Sequence, residues 1–220
     1  MVADIAPHPA LALAANGPVQ KAKRTFEPAP EAAMEELSVS YIAFIPMFLD
    51  TTAYEAGIQI TNLESSEAVI TVSGYEENGN QAFVWVDVIP AQGSVTYFRH
   101  AAIPNGFQGS LVVSSDKQVA ALVNILSSDF SRYATYVSRA AGQTTVHLPV
   151  LQNDANGFST FYSVQNTGSS VASVDVLYSD GIVATATIPV GAAHYFYQDQ
   201  EGHNSSDFSA IIFPYGTVQQ

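Results

Sequence analysis

The stretch Ile58–Ala68, IQITNLESSEA, has a counterpart at Tyr162–Ala172, YSVQNTGSSVA. Asn62 stands against Asn166, Ser65-Ser66 against Ser169-Ser170, and Ala68 against Ala172. Both stretches read as a strand that runs into a polar turn. The matches continue outward. Upstream, Phe44-Ile45-Pro46-Met47-Phe48 answers His147-Leu148-Pro149-Val150-Leu151. Downstream, Gly79 answers Gly181, Ile89-Pro90-Ala91 answers Ile188-Pro189-Val190, Tyr97-Phe98 answers Tyr195-Phe196, and Phe107 answers Phe208. An offset held near ~100 residues marks a duplicated structural unit.

Each unit is written in strand language. From residue 40 onward, short runs of Val, Ile, Thr, Tyr and Phe are cut by Gly, Asn, Asp and Ser. The first unit holds runs at Tyr41–Phe48, Gly57–Asn62, Ala68–Tyr75, Ala82–Ile89, Ser94–Arg99, Gly109–Ser115 and Gln118–Leu126. In the fourth run, Phe83, Trp85 and Val88 are candidates for a shared core. These seven runs are spaced as in a β-sandwich, and no stretch of helical period interrupts them. Residues Asp129 to Gln143 connect the two units.

The runs Leu148-Pro149-Val150-Leu151, Val164-Gln165-Asn166-Thr167-Gly168 and Ile188-Pro189-Val190-Gly191-Ala192 carry a resemblance, together with Pro104-Asn105-Gly106-Phe107-Gln108-Gly109-Ser110-Leu111-Val112-Val113-Ser114-Ser115-Asp116. The pattern resembles tandem immunoglobulin-like repeats of prokaryotic cell-surface and secreted proteins, over residues 41 to 220. The resemblance implies an all-β fold: two tandem immunoglobulin-like β-sandwiches preceded by an extended N-terminal arm. It implies an extracellular or cell-surface structural protein, a stalk, an adhesive module or a surface-polymer subunit. It supplies no catalytic residue and no cofactor.

The expected parts are an arm or linker over 1–40, a first sandwich with its connector over 41–143, and a second sandwich over 144–220. The arm holds five of the eleven prolines. Its Leu11-Ala12-Leu13-Ala14 reads either as the tail of a signal cleavage site or as part of a mature arm. The second unit reaches Phe213 and turns at Pro214-Tyr215-Gly216 with no seventh run. Either the sequence is cut short there, or a groove is left open for a strand from another chain.

Composition removes several functions. Twenty acidic residues against seven Lys and Arg give a net charge of −13. Such a chain is a poor partner for nucleic acid or an anionic membrane surface. No apolar run is long enough to span a bilayer. The absence of cysteine removes disulfides, thiolate metal sites and cysteine nucleophiles.

The remaining chemistry is sparse. His8, His100, His147, His194 and His203 show no metal-ligand spacing, although a sandwich can bring His147 and His194 together. Glu76-Glu77 sits in a hairpin tip, where solvated acids are ordinary. Asp154-Ala155-Asn156-Gly157 is half of a calcium-loop pattern without its closing acid. In Tyr195-Phe196-Tyr197 strand alternation turns Phe196 one way and both tyrosines the other, as core and surface, as a subunit interface, or as a stacking platform for sugar rings. From residue 144 to 220 there are six acids and no Lys or Arg, whereas the arm carries Lys21, Lys23 and Arg24. Those signs are complementary between copies of the chain. The candidate interface is therefore Leu11, Leu13, Lys21, Lys23, Arg24, Tyr195 and Tyr197, and the first expectation is a non-enzymatic subunit that assembles with other copies of itself. The alternative is a carbohydrate-binding adhesin module that takes cell-surface glycans.

Overall fold

The computed structural model of the protein describes residue 39 and residues 41–215. Leu11, Leu13, Lys21, Lys23 and Arg24 lie outside the described residues. The described chain is all-β and antiparallel, with no helix among the described residues.

In the first half, β1 (Tyr41–Asp50), β6 (Phe107–Ser115), β3 (Ala68–Tyr75) and β4 (Gln81–Ile89) form one sheet, in the order β1-β6-β3-β4. A second sheet runs β5-β2-β7-β8, from β5 (Ser94–Phe98), β2 (Tyr54–Asn62), β7 (Val119–Ser127) and β8 (Tyr133–Val137). Period-two alternation puts Ile70 and Val72 of β3 and Ala121, Val123 and Ile125 of β7 into one core between the sheets. In β4, Phe83, Trp85 and Ile89 face inward, while Val88 is exposed beside Val84 and Val86. Val88 therefore does not share the core, because it has the parity of the outward valines.

Two details differ from the sequence reading. The connector over 129–143 contains an eighth strand, β8, which pairs with β7 from Leu122↔Val137 to Leu126↔Tyr133. The strand order also departs from the immunoglobulin constant-type grouping ABED and CFG. Here the first strand pairs with the sixth, and the seventh with the second. The link after β6 explains the exchange. The Asp116 carboxylate accepts the Val69 N–H at 2.8 Å, and the Asp116 N–H donates to Val69 O at 3.3 Å. That clamp ends β6 against β3, so the chain crosses to the other sheet instead of folding back as a hairpin.

The second half repeats the strand order. Its four-stranded sheet runs β9-β14-β11-β12, from β9 (Val146–Gln152), β14 (Asp207–Pro214), β11 (Ala172–Tyr178) and β12 (Val183–Ile188). Opposite it lies a two-stranded sheet of β10 (Phe161–Gln165) and β13 (Ala193–Tyr197). Pro46-Met47 of β1 and Pro149-Val150 of β9 form equivalent bulges, opposite Ser110 and Ser209 respectively. Pro90 follows β4 as Pro189 follows β12, where no ladder bond needs a proline N–H.

The described residues form one compact unit, and the sheet β10–β13 joins its halves. One face of that sheet carries Tyr162, Val164 and Phe196 into the second core. The other face carries Tyr195 into the first core, with Phe161 and Tyr197 packed against it. Tyr195 Oη donates to Gly109 O at 2.7 Å, Ser163 Oγ to Pro46 O at 2.8 Å, and Ser110 Oγ to Gly191 O at 2.7 Å.

Candidate interaction site

The backbone ladder decides which edge of β10 is free. Asn166 N–H donates to Ala192 O at 2.9 Å, and Gln198 N–H to Thr160 O at 3.2 Å. Hydrogen-bonded pairs alternate along an antiparallel ladder, so Tyr162 and Val164 exchange bonds with β13. Phe161, Ser163 and Gln165 then turn their N–H and C=O groups to the other side. Among the described residues no strand pairs with that side. The corresponding residues of β2 are Gly57, Gln59 and Thr61, and they pair with Asn124, Leu122 and Ala120 of β7. No strand follows β14 among the described residues, so no described strand stands where β7 stands in the first half, and the connector meets that side only at one end, with Gly142 against Thr167.

Burial records the same gap. Ile58 and Ile60 of β2 are fully buried beneath β7, whereas Tyr162 and Val164 are half-buried. Met47, in the bulge of β1, donates its N–H to Tyr136 Oη of β8 at 3.2 Å and accepts the Tyr136 hydroxyl proton on its carbonyl. Val150, its counterpart in β9, is 68% exposed. A cavity of about 370 Å³ lies along the gap. Its floor is Val146, Leu148, Tyr162, Val164 and Ile212, and its far wall includes Phe44 and Pro46 of the first half. Gln165 also lines it, donating from Nε2 to Leu111 O and Gly191 O. Its Oε1 is buried with no hydrogen-bond partner, a spare acceptor beside an apolar trough.

The other sequence candidates fall elsewhere. Tyr195 is 5% exposed, and Tyr197 Oη accepts from Gln108 Nε2 at 2.8 Å. Tyr195 is buried in the joint between the halves, whereas Tyr197 packs against that core and stays half-buried. Burial pushes the Tyr195 hydroxyl far above its ordinary range. Their position was not legible, since alternation gives a side of the sheet but not what covers it. Glu77 is more than a solvated hairpin acid: its carboxylate pairs with His194 Nδ1 across the halves. The hollow beside it, bounded by residues 76–78 and 104–108, has no acid on its opposite wall. His147 and His194 lie on different sheets. Among the described residues no three His, Asp or Glu side chains are grouped as metal ligands. Asp154, Asn156 and Gly157 all take positive φ in a tight turn closed by the Ala155–Phe158 bridge.

Sequence reasoning missed a buried polar chain in the second half. His203 places Nδ1 3.0 Å from Asp180 Oδ2 and Nε2 3.0 Å from Gln198 Oε1. Gln198 Nε2 reaches Tyr178 Oη at 3.4 Å, and Tyr178 and Tyr162 share a hydroxyl bond of 2.8 Å. The His203 ring stacks on Phe208 at 3.8 Å. Burial works to raise the Asp180 pKa, but His203 and the N–H groups of Ile182 and Asn204 outweigh it and hold the carboxylate below its ordinary range. This network fixes the loop after β13 and the tyrosine that floors the cavity.

Among the described residues no helix is long and apolar enough to cross a membrane. No family model matches the chain, and no curated protein matches it. A solved structure titled "Crystal Structure of Thermotoga maritima 1070" aligns at 16% identity, over 48% of this chain and 97% of that one, with a TM-score of 0.41. That likeness is too distant to bear on fold or function.

Proposed function

We propose that the chain is a non-enzymatic structural protein of the cell surface, a subunit that joins copies of itself into a filament, sheath or layer. In this reading its two halves are tandem sandwiches in the manner of immunoglobulin-like surface repeats, and the joint is strand exchange through the N-terminal arm. One observation carries it: among the described residues no strand pairs with the outer edge of β10, which borders an apolar cavity at the place where β7 completes the first half. An open edge of this kind is normally covered, and an added strand supplies both ladder bonds and side chains for the trough. The cell-surface placement rests on the sequence resemblance.

The test is sedimentation velocity across a wide range of protein concentration, with negative-stain microscopy of the concentrated sample. Species that grow with concentration and appear as ordered assemblies support the reading. A monomer at every concentration counts against it.

A further inference from the structure

We infer that the hollow between the β7–β8 turn and the β9–β10 loop binds an acidic sugar, a hexuronate residue of a glycan. Arg132 takes its carboxylate, and the rings of Tyr133 and Phe158 take its pyranose ring. The inference goes beyond the assembly reading and does not rest on it.

The hollow is a cavity of about 460 Å³ lined from both halves of the chain. Tyr54 and Phe161, half-buried and with ring centroids 6.1 Å apart, form its inner part. Tyr133 and Phe158 line it as well, and they are 65% and 63% exposed. The volume falls in the range of small-ligand pockets, about 300–1,000 Å³.

Charge identifies the ligand. The chain has a net charge of −13, yet no Asp or Glu lines this cavity, and Arg132 does. Arg99 pairs with Glu55 and Lys117 with Asp116. The Arg132 guanidinium has neither an ion pair nor a hydrogen bond among the described residues; only its backbone is bonded, to Ser127. Asp129, in the same turn, is committed elsewhere. Its carboxylate accepts the Ser127 hydroxyl at 2.6 Å and the Ser131 N–H at 3.1 Å. A free guanidinium takes a carboxylate through two parallel N–H bonds. A neutral sugar would leave that cation unpaired, and a simple carboxylate would leave the rings uncovered. A hexuronate offers both a carboxylate and an apolar C–H face to lie on an aromatic ring.

Both sides of the hollow are built before any ligand arrives. Tyr133 is anchored through its hydroxyl, which donates to Asn124 Oδ1 at 2.6 Å. Phe158 closes a turn in which Ala155 and Phe158 exchange backbone bonds of 3.0 and 3.1 Å. Asp154 N–H donates to Ser159 Oγ at 3.0 Å across the same turn. Asp154 and Asn156 hold left-handed conformations there, which non-glycine residues keep only where their surroundings impose them. An aromatic side chain on a fixed turn loses little freedom on binding.

The test is calorimetric titration of the dilute full-length protein with digalacturonate and dimannuronate, each beside its neutral counterpart, galactobiose and mannobiose. At least one uronate disaccharide is expected to bind about tenfold or more tightly than its neutral counterpart. Arg132→Gln should weaken that binding about tenfold or more, and Phe158→Ala at least ~3-fold. Phe158→Tyr should keep it, and Arg139→Gln, which removes a cation from a different cavity, should leave it unchanged. Thermal unfolding confirms that each variant is folded. No binding of either uronate at millimolar concentration would overturn the inference, and so would equal binding of the neutral sugars. Binding that survives Arg132→Gln or Phe158→Ala would place the sugar elsewhere and overturn it too. If neither uronate binds and Arg132→Gln lowers self-association in sedimentation, the hollow takes a second copy of the chain instead. That result overturns this inference and leaves the assembly reading standing.

Discussion

Asn62 and Asn166 hold the same backbone groups from the same place in the two halves of the chain. Asn62 Nδ2 donates to Ser66 O at 2.7 Å and Ile89 O at 3.2 Å, and its Oδ1 accepts the Glu64 N–H at 3.0 Å. Asn166 Nδ2 donates to Ser170 O at 2.7 Å and Ile188 O at 2.9 Å, and its Oδ1 accepts the Gly168 N–H at 2.9 Å. Each asparagine mimics a turn and ties it to the strand opposite. Both are buried, so neither turn has water to replace the amide. Asn62→Ala and Asn166→Ala are each expected to cost about 1–3 kcal/mol, the price of buried polar groups left unpaired. Urea unfolding of the two variants checks this. A loss at one position only would deny that the turns are equivalent.

Gly109 is fixed by contact. A Cβ there would sit 2.2 Å from Tyr75 O and 2.7 Å from the Phe107 ring, and a backbone oxygen in a sheet cannot step aside. Gly109→Ala is expected to lose at least ~2 kcal/mol, at the upper side of ordinary overpacking. Gly106 has positive φ and open space around it. Gly106→Ala is expected to lose only about 1 kcal/mol from backbone strain. Thermal unfolding of the pair separates collision from conformation.

Acid should unfasten the second half through Asp180. A carboxylate with a lowered folded-state pKa contributes stability that is complete above its unfolded value, about 3.9, and is lost as pH falls through the folded value. Unfolding free energy measured from pH 6 to pH 2 should therefore fall towards acid. Asp180→Asn should be less stable at pH 6 and show a shallower fall. An identical pH slope in the two proteins would remove Asp180 from the explanation.

Tyr195 joins the halves by two separable means. Tyr195→Phe removes only the bond to Gly109 O and is expected to cost about 1 kcal/mol. Tyr195→Ala also removes a ring from the first core, at about 3–5 kcal/mol by analogy with other aromatic truncations. Calorimetry should show one transition for the parent and two for Tyr195→Ala, because the shared sheet no longer couples the cores. A single transition in Tyr195→Ala would place the coupling elsewhere.

The shared turn was legible at Asn62 and Asn166 because a buried turn tolerates few substitutes. The correspondence blurred where only hydrophobicity was matched. The sequence sets Tyr97-Phe98 against Tyr195-Phe196, but the ladders pair Ile58 with Tyr97 and Tyr162 with Phe196, so Tyr97 corresponds to Phe196. Aromatic runs look alike after a one-residue slip, and only the hydrogen-bond register separates them. Phe107 and Phe208 differ by two positions in the same way. Phe208 occupies the place of Gly109, and the Phe107 ring covers that glycine from two residues away. The eighth strand is not legible in the sequence because Tyr133–Val137 is exposed at four of its five positions and shows no apolar alternation. The side of β10 that no described strand pairs lies where the seventh run of the first half lies. The cavity beside it was not legible, since its far wall comes from β1.

The claim that β10 offers an unpaired edge to a second copy is tested most directly by amide hydrogen exchange across Phe161–Gln165, compared in dilute and concentrated protein. Tyr162 and Val164 amides, bonded to β13, should exchange slowly in both samples. Phe161, Ser163 and Gln165 amides should exchange fast when the protein is dilute and become protected as it assembles. Slow exchange of those three amides at every concentration would mean the edge is already covered within one chain. Fast exchange that persists in the assembled protein would mean that assembly does not use the edge. Either result contradicts strand exchange at this site.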